Sequence, residues 1–349
     1  MVELWRGATR PSAGALAGTL AVAAGLLAGG ACVFDERFVA RHGDGALLLS
    51  EDDDAAWISA RGLRGWRAIQ AESLTVLLGA SDLREATVGD AEMTGLLDAA
   101  GERASRAVTL CADQLGLLDR IGVLERFGFD FPGTLVVGVN LAQLNKGLDS
   151  WQRTASSHHL GFRSALVAAE CRGLGLRPPP ITGVDFWDNA SFFLRRTRLL
   201  WPTVRGARVQ HRRQRFYRTA GAAASAAPAP AGPLDRDAAA ANLRALEILV
   251  AKCRSAGRCR VVLVEVPTLE EAPGASLSPE RLKIVERSRL LLDEFARRHE
   301  VPLLRPAVAA GLRSEDYCDP RHIGSDAARA RFSLALVRAL TERRPRGSS

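Results

Sequence analysis

Residues 260–266, Arg-Val-Val-Leu-Val-Glu-Val, constrain the fold more than any other stretch of this chain. The run is almost wholly apolar and is closed by Pro267. A strand with one wet face alternates apolar with polar residues, so a near-continuous apolar run belongs in a sheet covered on both sides. Shorter runs of the same kind lie at 73–78, 107–111 and 134–139, with a brief one at 302–304. Helical patterns fall between them. Residues 237–256 carry Leu243, Leu246, Leu249, Val250 and Cys253 on one side. Ser278-Pro279 reads as an N-cap followed by proline at the first helical position, opening a helix to about residue 299. A last helix starts at Ser325 and carries Phe332, Leu334, Leu336, Val337 and Leu340. Strands alternating with helices predict an α/β fold with a mostly parallel sheet and helices on both faces.

The N-terminus predicts something different. Residues 11–34 contain no charge, with Arg6 and Arg10 before them and Asp35 and Glu36 after. A helix of that length spans about 36 Å at ~1.5 Å per residue, enough to cross a bilayer. Basic residues ahead of the segment predict a cytoplasmic N-terminus at 1–10 and an exported remainder, periplasmic or at the cell surface. A signal anchor at 11–34 is the expectation. A cleaved signal peptide, a lipidated Cys32 and an Ala/Gly-rich tail are the alternatives. Residues 35–70 read as a connector, and residues 71–345 as the domain. The composition, 47% hydrophobic and 25% charged over 349 residues, is that of an ordinary globular protein.

Three segments carry candidate chemistry. Val76-Leu77-Leu78-Gly79-Ala80-Ser81 is a buried strand ending in a small-residue turn that presents Ser81. The C-terminal end of a parallel strand faces the ligand crevice of an open α/β sheet, and a helix start beside it offers amide donors. Asp319 precedes His322 by three residues, just ahead of the final helix, and an acid so placed can orient an imidazole and keep it basic. Asn140 ends the third strand, where its amide can reach the same crevice. Arg84, on the first turn after Ser81, is a candidate for an anionic substrate group. Each residue also has a plainer use: Ser81 as a helix cap, His322 as a packing group, Asp319 and Asn140 as turn formers, Arg84 as a solvated cation.

With these residues, in this order, the chain resembles the SGNH, or GDSL-like, hydrolase and acyltransferase superfamily. The matching residues are the turn ending in Ser81, Gly138-x-Asn140, and Asp319-x-x-His322. The resemblance spans about residues 73–340 and implies a flavodoxin-like three-layer α/β/α fold. It makes Ser81 the nucleophile, His322 the base and Asp319 the orienting acid. Asn140 and the backbone amide of Ser81 become oxyanion donors. There are departures. Ala80 stands where the family has aspartate, and Leu141 stands where an aspartate usually follows the asparagine. No second-motif glycine is evident around Ala112-Asp113-Gln114-Leu115-Gly116. These differences are similar to the membrane-anchored branch that acetylates alginate or assists teichoic-acid D-alanylation. The expectation is therefore an envelope serine acyltransferase or esterase, with a membrane acyl-donor protein as possible partner and no cofactor. The alternative is a non-catalytic binding or assembly protein on the same fold.

Residues 148–233 interrupt the alternation and read as an insertion. Between 191 and 234 lie nine arginines and no acid, while the whole chain carries +8, so the remainder is close to neutral. Phe192, Phe193, Trp201, Phe216 and Tyr217 are interleaved. Such a patch suits anionic polysaccharide or lipid headgroups, and an exported domain argues against nucleic acid. His158 and His159 lack evident metal partners, and no CxxC pair exists, so no metal site is expected. Cys253 and Cys259 flank a short loop and either pair or remain ordinary thiols.

Overall fold

A computed structural model of the chain describes residues 12–33, 73–102, 105–112, 115–145, 164–177, 236–269, 272 and 278–342. The connector at 35–70, the arginines of 191–234 and the His158/His159 pair lie outside the described residues.

Five strands form one sheet: β1 (Ser73–Ala80), β2 (Ser105–Ala112), β3 (Gly133–Val139), β4 (Cys259–Glu265) and β5 (Leu303–Leu304). The order is β2-β1-β3-β4-β5 and every pairing is parallel. This is the flavodoxin-like order, whose ligand crevice opens where the winding reverses, between β1 and β3. Each strand lies where the apolar runs predict it. The helices among the described residues are α1 (Ala13–Val33), α2 (Ser81–Ala86), α3 (Asp90–Ala99), α4 (Leu117–Phe127), α5 (Leu141–Leu144), α6 (Ala165–Gly173), α7 (Arg236–Ala256), α8 (Pro279–Arg298), α9 (Pro306–Ala309) and α10 (Asp326–Glu342). The N-terminus of α8 has the expected chemistry: Ser278 Oγ accepts from the Arg281 amide at 3.3 Å, and proline follows it.

The period-2 alternation of the strands sorts the core into two layers. Leu74, Val76 and Leu78 of β1, with Leu135, Val137 and Leu263, meet α4, α7 and α8. Leu77, Val136, Val262 and Val264 meet α2, α3 and α10 on the opposite face. The described part of the expected insertion is residues 164–177. Helix α6 buries Val167 and Cys171 in the first layer, and Ser164 bonds Glu125 of α4.

The membrane crossing expected at residues 11–34 finds no support among the described residues. Residues Ala13–Val33 do form one continuous helix. Yet among the described residues no helix is long and apolar enough to cross a membrane.

Cys253 and Cys259 are free thiols. They interact directly, and the hydrogen bond between them, with burial, pushes the Cys253 thiol up.

Candidate active site

Helix α2 sits on the sheet directly after β1, and its position depends on two glycines. A Cβ on Gly79 would lie 2.8 Å from Leu83 Cβ, and one on Gly138 would lie 2.8 Å from Leu83 Cδ2. Any side chain at either position would lift α2 off the sheet. The close approach sets Ser81, the first residue of α2, at the β1 end of the β1/β3 crevice.

The loop before α10 carries the other two groups. An antiparallel bridge joins Tyr317 to Ile323, and the Cys318 amide donates to the His322 carbonyl at 3.0 Å. Asp319 Oδ1 accepts from the amides of Arg321 at 2.7 Å and His322 at 3.0 Å, closing the turn. Its other oxygen, Oδ2, lies 2.7 Å from His322 Nδ1. His322 Nε2 lies 3.0 Å from Ser81 Oγ. Residues 241 positions apart thus form a continuous Asp–His–Ser chain of hydrogen bonds. The three side chains are mostly buried, with Asp319 the most open.

Burial alone would raise the Asp319 pKa. The His322 ring and the two backbone amides outweigh it and hold the carboxyl below its ordinary range. Asp319 is therefore ionised at neutral pH and favours a proton on Nδ1, which leaves Nε2 as the acceptor facing Ser81.

The loop is held from outside. Pro320 O accepts from the Leu269 amide at 3.0 Å, tying it to the segment after β4. Arg329 of α10 is buried and spans the two halves of the site. Its Nε donates to Glu85 O at 2.9 Å and its Nη2 to Ile323 O at 3.2 Å. The carboxylate of Glu85 lies 3.6 Å from the same guanidinium.

Asn140 caps α5: its Oδ1 accepts from the Ala142 amide at 2.9 Å. Its Nδ2 donates to Asp82 Oδ2 at 2.9 Å. The expected oxyanion donor is thus brought beside the nucleophile's neighbour, with one of its two amide hydrogens engaged. Gly116, in the segment where a second-motif glycine would stand, gives its amide to Asp119 Oδ2 at 2.9 Å.

Arg84 does not stand as a crevice cation. All six residues of α2 are buried, and Arg84 Nε donates to Glu85 Oε1 at 2.8 Å. A short helix pressed between the sheet and α10 leaves its arginine to compensate an internal acid.

Sequence reasoning missed Asp82, Glu85, Arg120 and Arg329. Asp82 follows the nucleophile directly, and its adjacency was the available signal. Arg120 and Arg329 bond elements distant in the chain, as Glu85 does through Arg329, and no local pattern marks them.

Cys318 adjoins Asp319, and burial with that neighbouring charge pushes its thiol up to about 11. The thiolate is the reactive form, so iodoacetamide at pH 8 should leave Cys318 unmodified in the folded protein and alkylate it after denaturation. Peptide mass spectrometry reads the outcome, and rapid labelling in the native state would contradict the buried environment.

Among the described residues no group of three or more His, Cys, Asp or Glu is arranged to hold a metal ion. No family model matches the chain, and no curated protein matches it. Five chains of solved structures do. A provisionally assigned arylesterase from Agrobacterium tumefaciens is 11% identical, covering 77% of this chain and 97% of its own, with a TM-score of 0.37. An acetylxylan esterase from Geobacillus stearothermophilus is 12% identical, covering 78% of this chain and 96% of its own, with a TM-score of 0.41. Neither is described as a membrane-anchored acyltransferase. At these identities and TM-scores the functional argument rests on the site itself.

Proposed function

We propose that this chain is a serine esterase that cleaves acyl esters through an acyl-enzyme on Ser81. The observation that carries the reading is the hydrogen-bond chain from Asp319 through His322 to Ser81, at 2.7 and 3.0 Å. Ser81 Oγ attacks the ester carbonyl while His322 Nε2 takes its proton. The tetrahedral oxyanion draws on Asn140 Nδ2 and the Ser81 backbone amide. The imidazolium then protonates the departing alcohol, leaving an acyl-serine. A second hydroxyl, from water or a carbohydrate, repeats the sequence in reverse and frees the enzyme.

Hydrolysis and transfer need the same residues and differ in what reaches the acyl-serine. We extend the proposal to transfer onto a polysaccharide of the cell envelope, with the arginines of 191–234 as the anionic-polymer contact. Support for this extension is in the sequence alone.

A second reading, a polymer-binding or assembly protein, is favoured by one observation: the Gly116 amide, adjacent to the missing motif, is already bonded to Asp119.

A fluorophosphonate probe tests the first reading. It should label the wild-type protein at Ser81 and not label S81A. A folded wild-type chain that stays unlabelled would overturn the esterase. Cell-surface acylation unchanged by S81A would favour assembly.

A further inference from the structure

Ser81 is followed by an acid, an unusual neighbour for a site that must stabilise negative charge. Asp82 is nevertheless buried and fully engaged. Its Oδ1 accepts from the Leu83 amide at 2.8 Å, and its Oδ2 accepts from Asn140 Nδ2 at 2.9 Å. Asn140 is equally buried. Its oxygen is committed to the Ala142 amide, so the amide plane is pinned at both ends and cannot flip. The second hydrogen on Nδ2 has no acceptor among the described residues, and a buried donor without one is costly unless something is to be bound there.

Beneath this pair lies Arg120, on the first turn of α4, which is completely buried. It donates through Nη1 to Gly138 O, and through Nη2 to Gln143 Oε1 at 2.8 Å and to Leu115 O at 3.5 Å. Gly138 and Gln143 bracket Asn140 in the chain, on β3 and α5. The Gln143 amide itself donates to Asn140 O at 2.8 Å. One guanidinium therefore holds the Gly138 carbonyl on one side of Asn140 and the Gln143 side chain on the other, and ties both to the turn after β2. Burial pulls the Arg120 pKa below its ordinary value, while Asp82, Cys111 and Asp119 favour the charge. Arginine stays protonated under such burial, so the cation offsets the carboxylate of Asp82. No motif of the sequence marks this arrangement.

We propose that Asp82 and Arg120 are positioning residues for Asn140: Asp82 fixes the rotation of its amide, Arg120 fixes its backbone, and the remaining Nδ2 hydrogen is thereby held ready for the oxyanion. Neither touches substrate. The inference rests on the esterase reading and adds to it the means by which a single side-chain donor is held rigid. Rigidity matters because a preorganised donor stabilises the transition state without reorganising at the moment of reaction.

The test is a double-mutant cycle on p-nitrophenyl acetate, with folding of each variant checked by thermal melting. N140A should lower kcat by about 100-fold. D82A should lower it tenfold or more with KM changed less than about twofold, and the N140A/D82A double variant should be no slower than N140A alone. D82N retains an oxygen that can accept from Nδ2 and should recover most of the loss. R120K keeps the charge and loses the two-sided grip, so it should slow kcat without compounding the N140A loss. R120M should behave likewise; should it fail to fold, R120K carries that arm. Losses that multiply across the cycle would overturn the inference, as would a D82N as slow as D82A or a D82A as fast as wild type. If wild type neither turns over the ester nor takes the fluorophosphonate, the esterase reading fails and this one with it. Labelling of wild type with a multiplicative cycle sinks the positioning role alone.

Discussion

Replacing His322 with alanine is expected to lower kcat for p-nitrophenyl acetate by about ten-thousand-fold or more. His322 Nε2 is the base within 3.0 Å of Ser81 Oγ, and a neutral serine hydroxyl is a poor nucleophile near pH 7. The loss should fall on kcat, because the imidazole acts on the proton in flight rather than on bound substrate. Combining H322A with S81A should add nothing, since residues that act as one unit are strongly non-additive. D319N should also be severe: an amide at that position can donate to Nδ1 and select the wrong tautomer. Stopped assays at matched enzyme concentration, with S81A as the background, measure these ratios. A loss smaller than tenfold in a folded H322A would mean that the 3.0 Å contact is structural.

Arg329→Ala is expected to lower the free energy of unfolding by about 3 kcal/mol, within the range for breaking a buried ion pair from one side. Arg329 and Glu85 are both almost wholly inaccessible. Removing the cation leaves the Glu85 carboxylate with Arg84 as its described ion-pair partner and strips a donor from the carbonyls of Glu85 and Ile323. Those carbonyls belong to the element that carries Ser81 and the loop that carries His322. The variant should therefore also slow fluorophosphonate labelling more than tenfold at temperatures where it remains folded. Arg329→Lys keeps the charge but cannot reach both carbonyls with a planar fork, so it should recover stability more than labelling. Urea unfolding and labelling rates, taken together, separate the two effects. An R329A midpoint equal to wild type would show that α10 docks without this bridge.

The five strands were legible because each is buried on both faces, and double burial writes itself as a local apolar run. The helices with capping residues or a clear apolar stripe, α7, α8 and α10, were legible for the same kind of reason. Helices α3, α4 and α6 were missed, and α5 and α9 are single turns. The N-terminal segment was read as a helix, and Ala13–Val33 is one, but among the described residues no helix is long and apolar enough to cross a membrane. Arg84 was visible by its spacing from Ser81 and Glu85 by its adjacency, while the burial that pairs them was not.

Periodicity and spacing are properties of neighbours along the chain, so the strand runs, the Ser81 turn and the Asp319–His322 turn could be read directly. Partnership across the sheet is not. That Arg120 brackets Asn140, that Asp82 holds its amide, and that Arg329 joins α2 to the His322 loop emerge only when strands and helices far apart in the chain are packed together. A buried charge must find its compensation wherever packing brings a partner, and that choice leaves no trace in the order of residues.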